Sequence, residues 1–316
     1  MLFIPIPLRF FVTGDKIISG GNMVNFEEVS KRVLSDVTLN IPAGEAVGLI
    51  GASGAGKTTF IKLACGLLAP ERGRVWTLGK DPVRYRKKYG RDISVFITGI
   101  PLLEGEDTVS QGLDMIRAVY RMDAEGYRRS YDELSQRLGF GAFAEKRVRD
   151  LSLGQRMRAE LAAALIYEPR LIMLDEPDVG LDENAKSALS EMIRERVQRG
   201  VTVLVTSHDM AWISRVCGRI AVLDKGRAVS CGSVESLQSR FMPVNTMTVK
   251  ISGRIPDLDD LPVRKFSLEG DVLSLEYDSN HVTAAEIAAL LLKQTEIREM
   301  NIKKPGLEQL QSGGKI

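Results

Sequence analysis

Gly51-Ala52-Ser53-Gly54-Ala55-Gly56-Lys57-Thr58-Thr59 fits the pattern G-x-x-x-x-G-K-[ST] of a phosphate-binding loop, and its surroundings decide the fold. Before it, Ala46-Val47-Gly48-Leu49-Ile50 reads as a buried strand. After it, Thr58 to Cys65 reads as a helix closed by Gly66 and Pro70. Gly51, Gly54 and Gly56 let the backbone turn its N–H groups inward around a polyphosphate, with the positive end of the helix dipole facing the same anion. Lys57 adds a mobile positive charge, and the Thr58 hydroxyl suits Mg²⁺. A glycine-rich turn with an exposed lysine would use the same letters. The strand and helix on either side argue against that plainer reading.

The chain has 316 residues and 44% hydrophobic content, enough for one large or two modest domains. Lys and Arg total 43 against 41 Asp and Glu, so the net charge of +2 carries no footprint of a nucleic-acid binder. Cys65, Cys217 and Cys231 are widely spaced and odd in number, which fits a reducing compartment and no zinc site. No apolar run approaches the roughly 20 residues of a membrane helix. Residues 1–22 begin apolar, but Pro5, Pro7 and Arg9 interrupt them, and they read as a loose N-terminal extension rather than a signal peptide.

Outward from the loop, strands are expected from Met23, over Val37 to Ile41, over Arg74 to Leu78 and over Ile93 to Ile97. Arg84-Tyr85-Arg86-Lys87-Lys88-Tyr89 interleaves aromatic and basic residues, but without a basic background it reads as a solvated segment. Helices dominate from about residue 104. Leu151-Ser152-Leu153-Gly154-Gln155 opens a long alanine-rich helix, and Ser152 with Gln155 has the spacing of a capping box. Then Leu171 to Leu174 forms an apolar strand delivering Asp175 and Glu176 at its C-terminal edge, where open α/β sheets place their ligands. Val201 to Val205 delivers Ser207-His208-Asp209 in the same way. Two acidic residues and a histidine thus converge on the phosphate-loop edge. Beyond Met242-Pro243 the composition shifts toward a small α+β domain, in which Thr283 to Glu286 starts a helix and His281 reads as structural.

With these segments in this order, residues 24 to about 235 resemble the nucleotide-binding subunit of an ABC transporter. Leu151 to Gln155 is similar to the family signature LSGGQ, with Leu153 in place of a glycine, and Leu151 to Leu165 resembles the ABC-2 exporter branch. The C-terminal domain, with its closing Pro305-Gly306-Leu307-Glu308, looks like an appendage common there. The resemblance implies an α/β fold: a P-loop ABC ATPase cassette with a RecA-like core, a β subdomain and a helical subdomain, plus a small C-terminal α+β domain. The boundaries expected are 1–22, 23–240 with a helical subdomain at about 104–165, and 241–316.

It also implies a Mg-dependent ATP hydrolase that works as a pair of subunits, identical or not, with ATP and Mg²⁺ sandwiched between the phosphate loop of one chain and the signature of the other. Ser152, Gly154 and Gln155 would then act in trans. Phosphate contacts fall to Gly51, Ala52, Ser53, Gly54, Ala55, Gly56, Lys57, Thr58 and Thr59, metal ligation to Thr58 and Asp175, the general base to Glu176 and γ-phosphate sensing to His208. Asp182 resembles an aspartate that communicates across the pair. A separate membrane permease would place the chain peripherally on the cytoplasmic face of the cell membrane, with no nucleic acid as partner. Two customary features are not evident. The glutamine expected after the strand at Ile93 to Ile97 falls on Gly99, Gln111 being out of register. The adenine-stacking aromatic has no counterpart where Lys31-Arg32 passes to Val33 through a shortened loop; Phe26 is the one candidate in its place, against a core role on its strand, which is the favoured reading. A weakly hydrolysing regulatory cassette in a heterodimer and a soluble non-transport ABC ATPase are the competing readings.

Overall fold

The computed structural model describes residues 21–241, 244–252, 255–257 and 261–303. The first 20 residues of the N-terminal extension and the closing Pro305 to Glu308 lie outside these. A division into two compact units falls between Cys231 and Gly232.

In the first unit, β1 (Asn22–Lys31) and β2 (Leu34–Pro42) alternate buried and exposed positions and pair antiparallel. They carry one face into the core and one outward. Then β3 (Ala46–Ile50) is buried at every position, as a strand covered on both faces must be, and α1 (Lys57–Ala64) follows it. Next, β4 (Arg72–Thr77) completes a three-stranded sheet of order β2-β1-β4. The basic segment read as solvated is a helix, α2 (Pro82–Tyr89): the Asp81 side chain accepts from the Val83 and Arg84 amides, and Pro82 stands where a helix needs no N–H.

The remaining elements of the unit are β5 (Ile93–Ile97), α3 (Val109–Val119), α4 (Ala124–Leu138), α5 (Leu153–Leu165), β6 (Leu171–Asp175), α6 (Glu183–Gln198), β7 (Thr202–Thr206), α7 (Met210–Val216), β8 (Arg219–Asp224) and β9 (Arg227–Ser233). The six-stranded sheet runs β5-β6-β7-β3-β8-β9, with parallel pairing from β5 through β8. Its register sets Asp175 opposite both Ile97 and Thr206. The strand ends that carry the phosphate loop, the carboxylates and the histidine therefore share one edge. Phe26 of β1 and Phe60 of α1 are fully buried and stack at 3.9 Å, each side chain worth about 1.5–3 kcal/mol of burial.

In the second unit, α8 (Val234–Phe241) precedes β10 (Val244–Ser252), β11 (Lys265–Glu269), β12 (Val272–Asp278), α9 (Ala284–Leu292) and β13 (Glu296–Lys303). The strands form one antiparallel sheet of order β11-β12-β10-β13. Met247, Val249, Leu273, Leu275 and Tyr277 from its central strands pack with Ile287 and Leu291 of α9. Thr283 and Glu286 form the expected capping box. His281 pairs with Asp278 through Nδ1 at 3.4 Å, the structural role read for it. No helix among the described residues is long and apolar enough to cross a membrane.

Candidate active site

The phosphate loop is shaped by close approach. A Cβ at Gly51 would come within 2.2 Å of the Leu223 carbonyl oxygen, and one at Gly56, whose φ is 109°, within 2.4 Å of Leu34 Cδ2. Gly56 is also the N-cap of α1, and no side chain caps that helix. Its first amides are left for an anionic ligand. Lys57 is only 6% exposed, with Nζ donating to the carbonyls of Gly51 at 2.9 Å and Ala52 at 3.2 Å. Burial pushes its pKa down, while Glu176 and Asp175 pull it back up.

Asp175 ends β6 buried, and both of its oxygens are occupied: Thr58 Oγ1 donates to Oδ2 at 2.7 Å and Thr206 Oγ1 to Oδ1 at 2.8 Å. Glu176, next along, has a φ of 53°, a region costing non-glycine residues roughly 1–2 kcal/mol. Its amide is pinned to Thr206, at 2.9 Å from Oγ1 and 3.1 Å from the carbonyl oxygen. That kink turns the side chain to His208, whose Nε2 lies 2.7 Å from Glu176 Oε1. His208 is braced on both sides. Ser207 Oγ donates to Asp178 at 2.8 Å and accepts from the Asp209 amide at 2.8 Å, and Lys186 Nζ donates to Asp209 at 3.1 Å.

The structure thus brings together Lys57, Thr58, Asp175, Glu176 and His208. No hydrogen bond or ion pair among the described residues joins Ser152, Gly154, Gln155 or Asp182 to them. Ser152 Oγ accepts from the Gln155 amide at 3.3 Å, and Gln155 Oε1 from the Ser152 amide at 3.1 Å, which is the capping box expected. Leu153 is 69% exposed and lies against Gly180. Asp182 caps α6 through the Ala185 amide and pairs with Arg158 of α5 at 3.0 Å, tying the two helices.

Of its two readings Phe26 takes the core role on its strand and not that of an adenine platform: it is fully buried against Phe60 and out of reach of a ligand. Val33 is the exposed side chain beside the loop, 3.3 Å from the Cβ position of Gly56. An aliphatic side chain offers contact to any purine and no π-face. ATP and GTP are therefore expected to bind within about threefold of each other, and Val33→Tyr to tighten both by ~1 kcal/mol, roughly fivefold. Equilibrium titration with each nucleotide measures this, and a tenfold preference of the unaltered protein for ATP would refute it. Position 99 is a glycine, at φ 84°, so no side chain reaches the site from there. Thr98 does, with Oγ1 donating to the Asp175 carbonyl at 2.7 Å.

Residues 34–179 match the family model described as "ABC transporter". The chain is 31% identical over 206 residues to the ABC transporter ATP-binding protein NatA of Bacillus subtilis, covering 65% of this chain and 84% of that protein. The chain belongs to the ABC transporter family. A second ABC relative, the Nod factor export ATP-binding protein I of Bradyrhizobium diazoefficiens, is 29% identical over 280 residues, covering 89% of this chain and 90% of the relative. Among solved ABC cassettes, a dimeric post-hydrolysis state bound to ADP and Pi superposes with a TM-score of 0.58 at 26% identity, covering 67% of this chain and 99% of that one. The α/β ABC cassette expected from the sequence is the fold observed.

Thr206, Thr98, Asp178 and Arg158 are site-building residues that sequence reasoning missed, and Ser207, read at its strand end, has a bracing role that the reading did not show. For Thr206 a signal existed, since it ends its strand as Asp175 ends its own. For the others the contact exists only in the folded chain.

Proposed function

We propose that this chain is the ATP-hydrolysing subunit of an ABC-2 type export system, acting as one of a pair of cassettes on the cytoplasmic face of a separate membrane permease. The observation that carries hydrolysis is the Glu176–His208 contact of 2.7 Å beside Lys57, Thr58 and Asp175. His208 holds Glu176 Oε1, leaving Oε2 to take the proton of a water attacking the γ-phosphate. The α1 amides and Lys57 Nζ bind and orient the phosphates; on nucleotide entry Nζ exchanges two carbonyl partners for phosphate oxygens. The hydroxyl of Thr58 and the carboxylate of Asp175 are hard oxygen donors already side by side, and they fit Mg²⁺. Bound there, Mg²⁺ supplies charge neutralisation on the phosphates. Ser152, Gly154 and Gln155 would act on the phosphate loop of a second cassette, as their resemblance to the ABC signature implies.

Export rests on the relatives, whose names include Nod factor export. We read 23–240 as the cassette and 241–316 as the C-terminal appendage; the compact units themselves divide earlier, between Cys231 and Gly232. Coexpression of the full chain with a roughly six-helix membrane protein from an adjacent reading frame tests the reading. The two are expected to copurify, with ATP turnover that Glu176→Gln abolishes; turnover insensitive to Glu176, or a chain that never copurifies, would overturn it.

A further inference from the structure

Glu160 stands in the middle of α5, the helix opened by the signature, and is 5% exposed. Burying a carboxylate is costly without partners. Its Oε2 accepts from the Leu102 amide at 2.7 Å, and the Leu103 amide also favours its charged form, against a burial that pushes its pKa up. Arg156 Nε is 4.0 Å from Oε1, which has no hydrogen-bond partner. The amides that satisfy this α5 carboxylate thus come from the segment after β5.

That segment is fastened at both ends. At its start, Thr98 Oγ1 donates to the Asp175 carbonyl at 2.7 Å. At its end, the Leu102 amide meets Glu160, while Leu103 is buried and lies against Gly112 of α3. Between them Gly99 adopts φ 84°, and Ile100 and Leu102 are exposed. A strap of main chain therefore runs from the strand that presents the metal-site carboxylate to the helix that presents the signature.

We propose that Glu160 is a positioning residue: with Thr98 it makes residues 98–103 the mechanical link between Asp175 and the signature helix, in place of a glutamine side chain at position 99. This rests on the reading that the signature completes the ATP site of a second copy. Occupation of the phosphate loop shifts the Asp175 strand end, the strap follows through Thr98, and Glu160 carries the shift to α5. Neither residue touches nucleotide, so loss of either slows the assembled site without weakening the first binding step.

The test is a double-mutant cycle on the full chain with Thr98→Val and Glu160→Met, both close in shape to the originals. Each is expected to lower kcat about tenfold, with ATP affinity within about twofold and an unchanged melting temperature. Because both act through one strap, the double variant is expected to stay near tenfold rather than reach a hundredfold. Glu160→Gln, which keeps an acceptor for Leu102, is expected to restore kcat to within threefold. Amide exchange across residues 98–103 gives a readout independent of turnover: ATP is expected to slow it in the unaltered protein and not in Glu160→Met. Unaltered kcat in either single variant, additive losses in the double, or an ATP response in Glu160→Met equal to that of the unaltered chain would overturn the inference. Absence of any Glu176-dependent turnover in the unaltered protein would instead strike the ATPase reading, and the exchange measurement would still decide the strap.

Discussion

Glu176→Gln is expected to lower ATP turnover about 10²–10⁴-fold, the usual contribution of a positioned general base, while ATP still binds. The substitution preserves the local frame. The amide of residue 176 remains pinned to Thr206, the left-handed backbone persists, and a glutamine oxygen can still accept from His208 Nε2 where Glu176 Oε1 does now at 2.7 Å. What disappears is the basicity of the other oxygen. The phosphate contacts proposed for the α1 amides and Lys57 are untouched. Bound nucleotide should therefore persist and two cassettes stay closed on it, so size-exclusion chromatography with ATP and Mg²⁺ is expected to show a dimer that the unaltered protein populates only transiently. A regulatory cassette that hydrolyses weakly for lack of a glutamine at Gly99 would lose less than tenfold. Steady-state phosphate release thus separates the two readings.

The parts of this site that were legible in sequence are those whose chemistry is local. A glycine loop between a buried strand and a helix, and an acidic pair ending an apolar strand, carry their meaning within about ten residues. The bracing around them depends on register. Thr206 reaches Asp175 and the Glu176 amide only because β6 and β7 pair in parallel with Asp175 opposite Thr206. Asp178 and Ser207, 29 positions apart, meet for the same reason. Glu160 sits in an alanine-rich helix with no periodicity marking it as buried, and its partner is a backbone amide, which no residue letter reports. Phe26 was open to two readings, a ligand platform or a core residue of its strand, and its stacking on Phe60 of α1 decides for the core. In the segment Arg84 to Tyr89, Asp81-Pro82 was a legible helix start, outweighed in reading by the run of charge that follows it.

Lys57→Ala is expected to weaken ATP binding by roughly 10–150-fold, the 1.5–3 kcal/mol of hydrogen bonds to a charged group. The loss has two sources. The ammonium is the positive side chain held within the loop, and without it a triphosphate would face Asp175 and Glu176 with only helix amides to balance them. Lys57→Arg is not expected to rescue, because a planar guanidinium does not fit a buried position shaped for a point charge between the Gly51 and Ala52 carbonyls. Stability of the nucleotide-free protein should move differently. Burial lowers the Lys57 pKa, so its charged form is less favourable in the folded chain than in the unfolded one, and this opposes folding at pH values below the folded pKa. Removing the side chain takes that opposing contribution away along with its two carbonyl contacts. The melting temperature of the variant without nucleotide is therefore expected to stay within a few degrees of the original, while the rise in melting temperature on adding ATP shrinks sharply. A variant that binds ATP within threefold of the unaltered chain would show that the loop amides alone hold the phosphates.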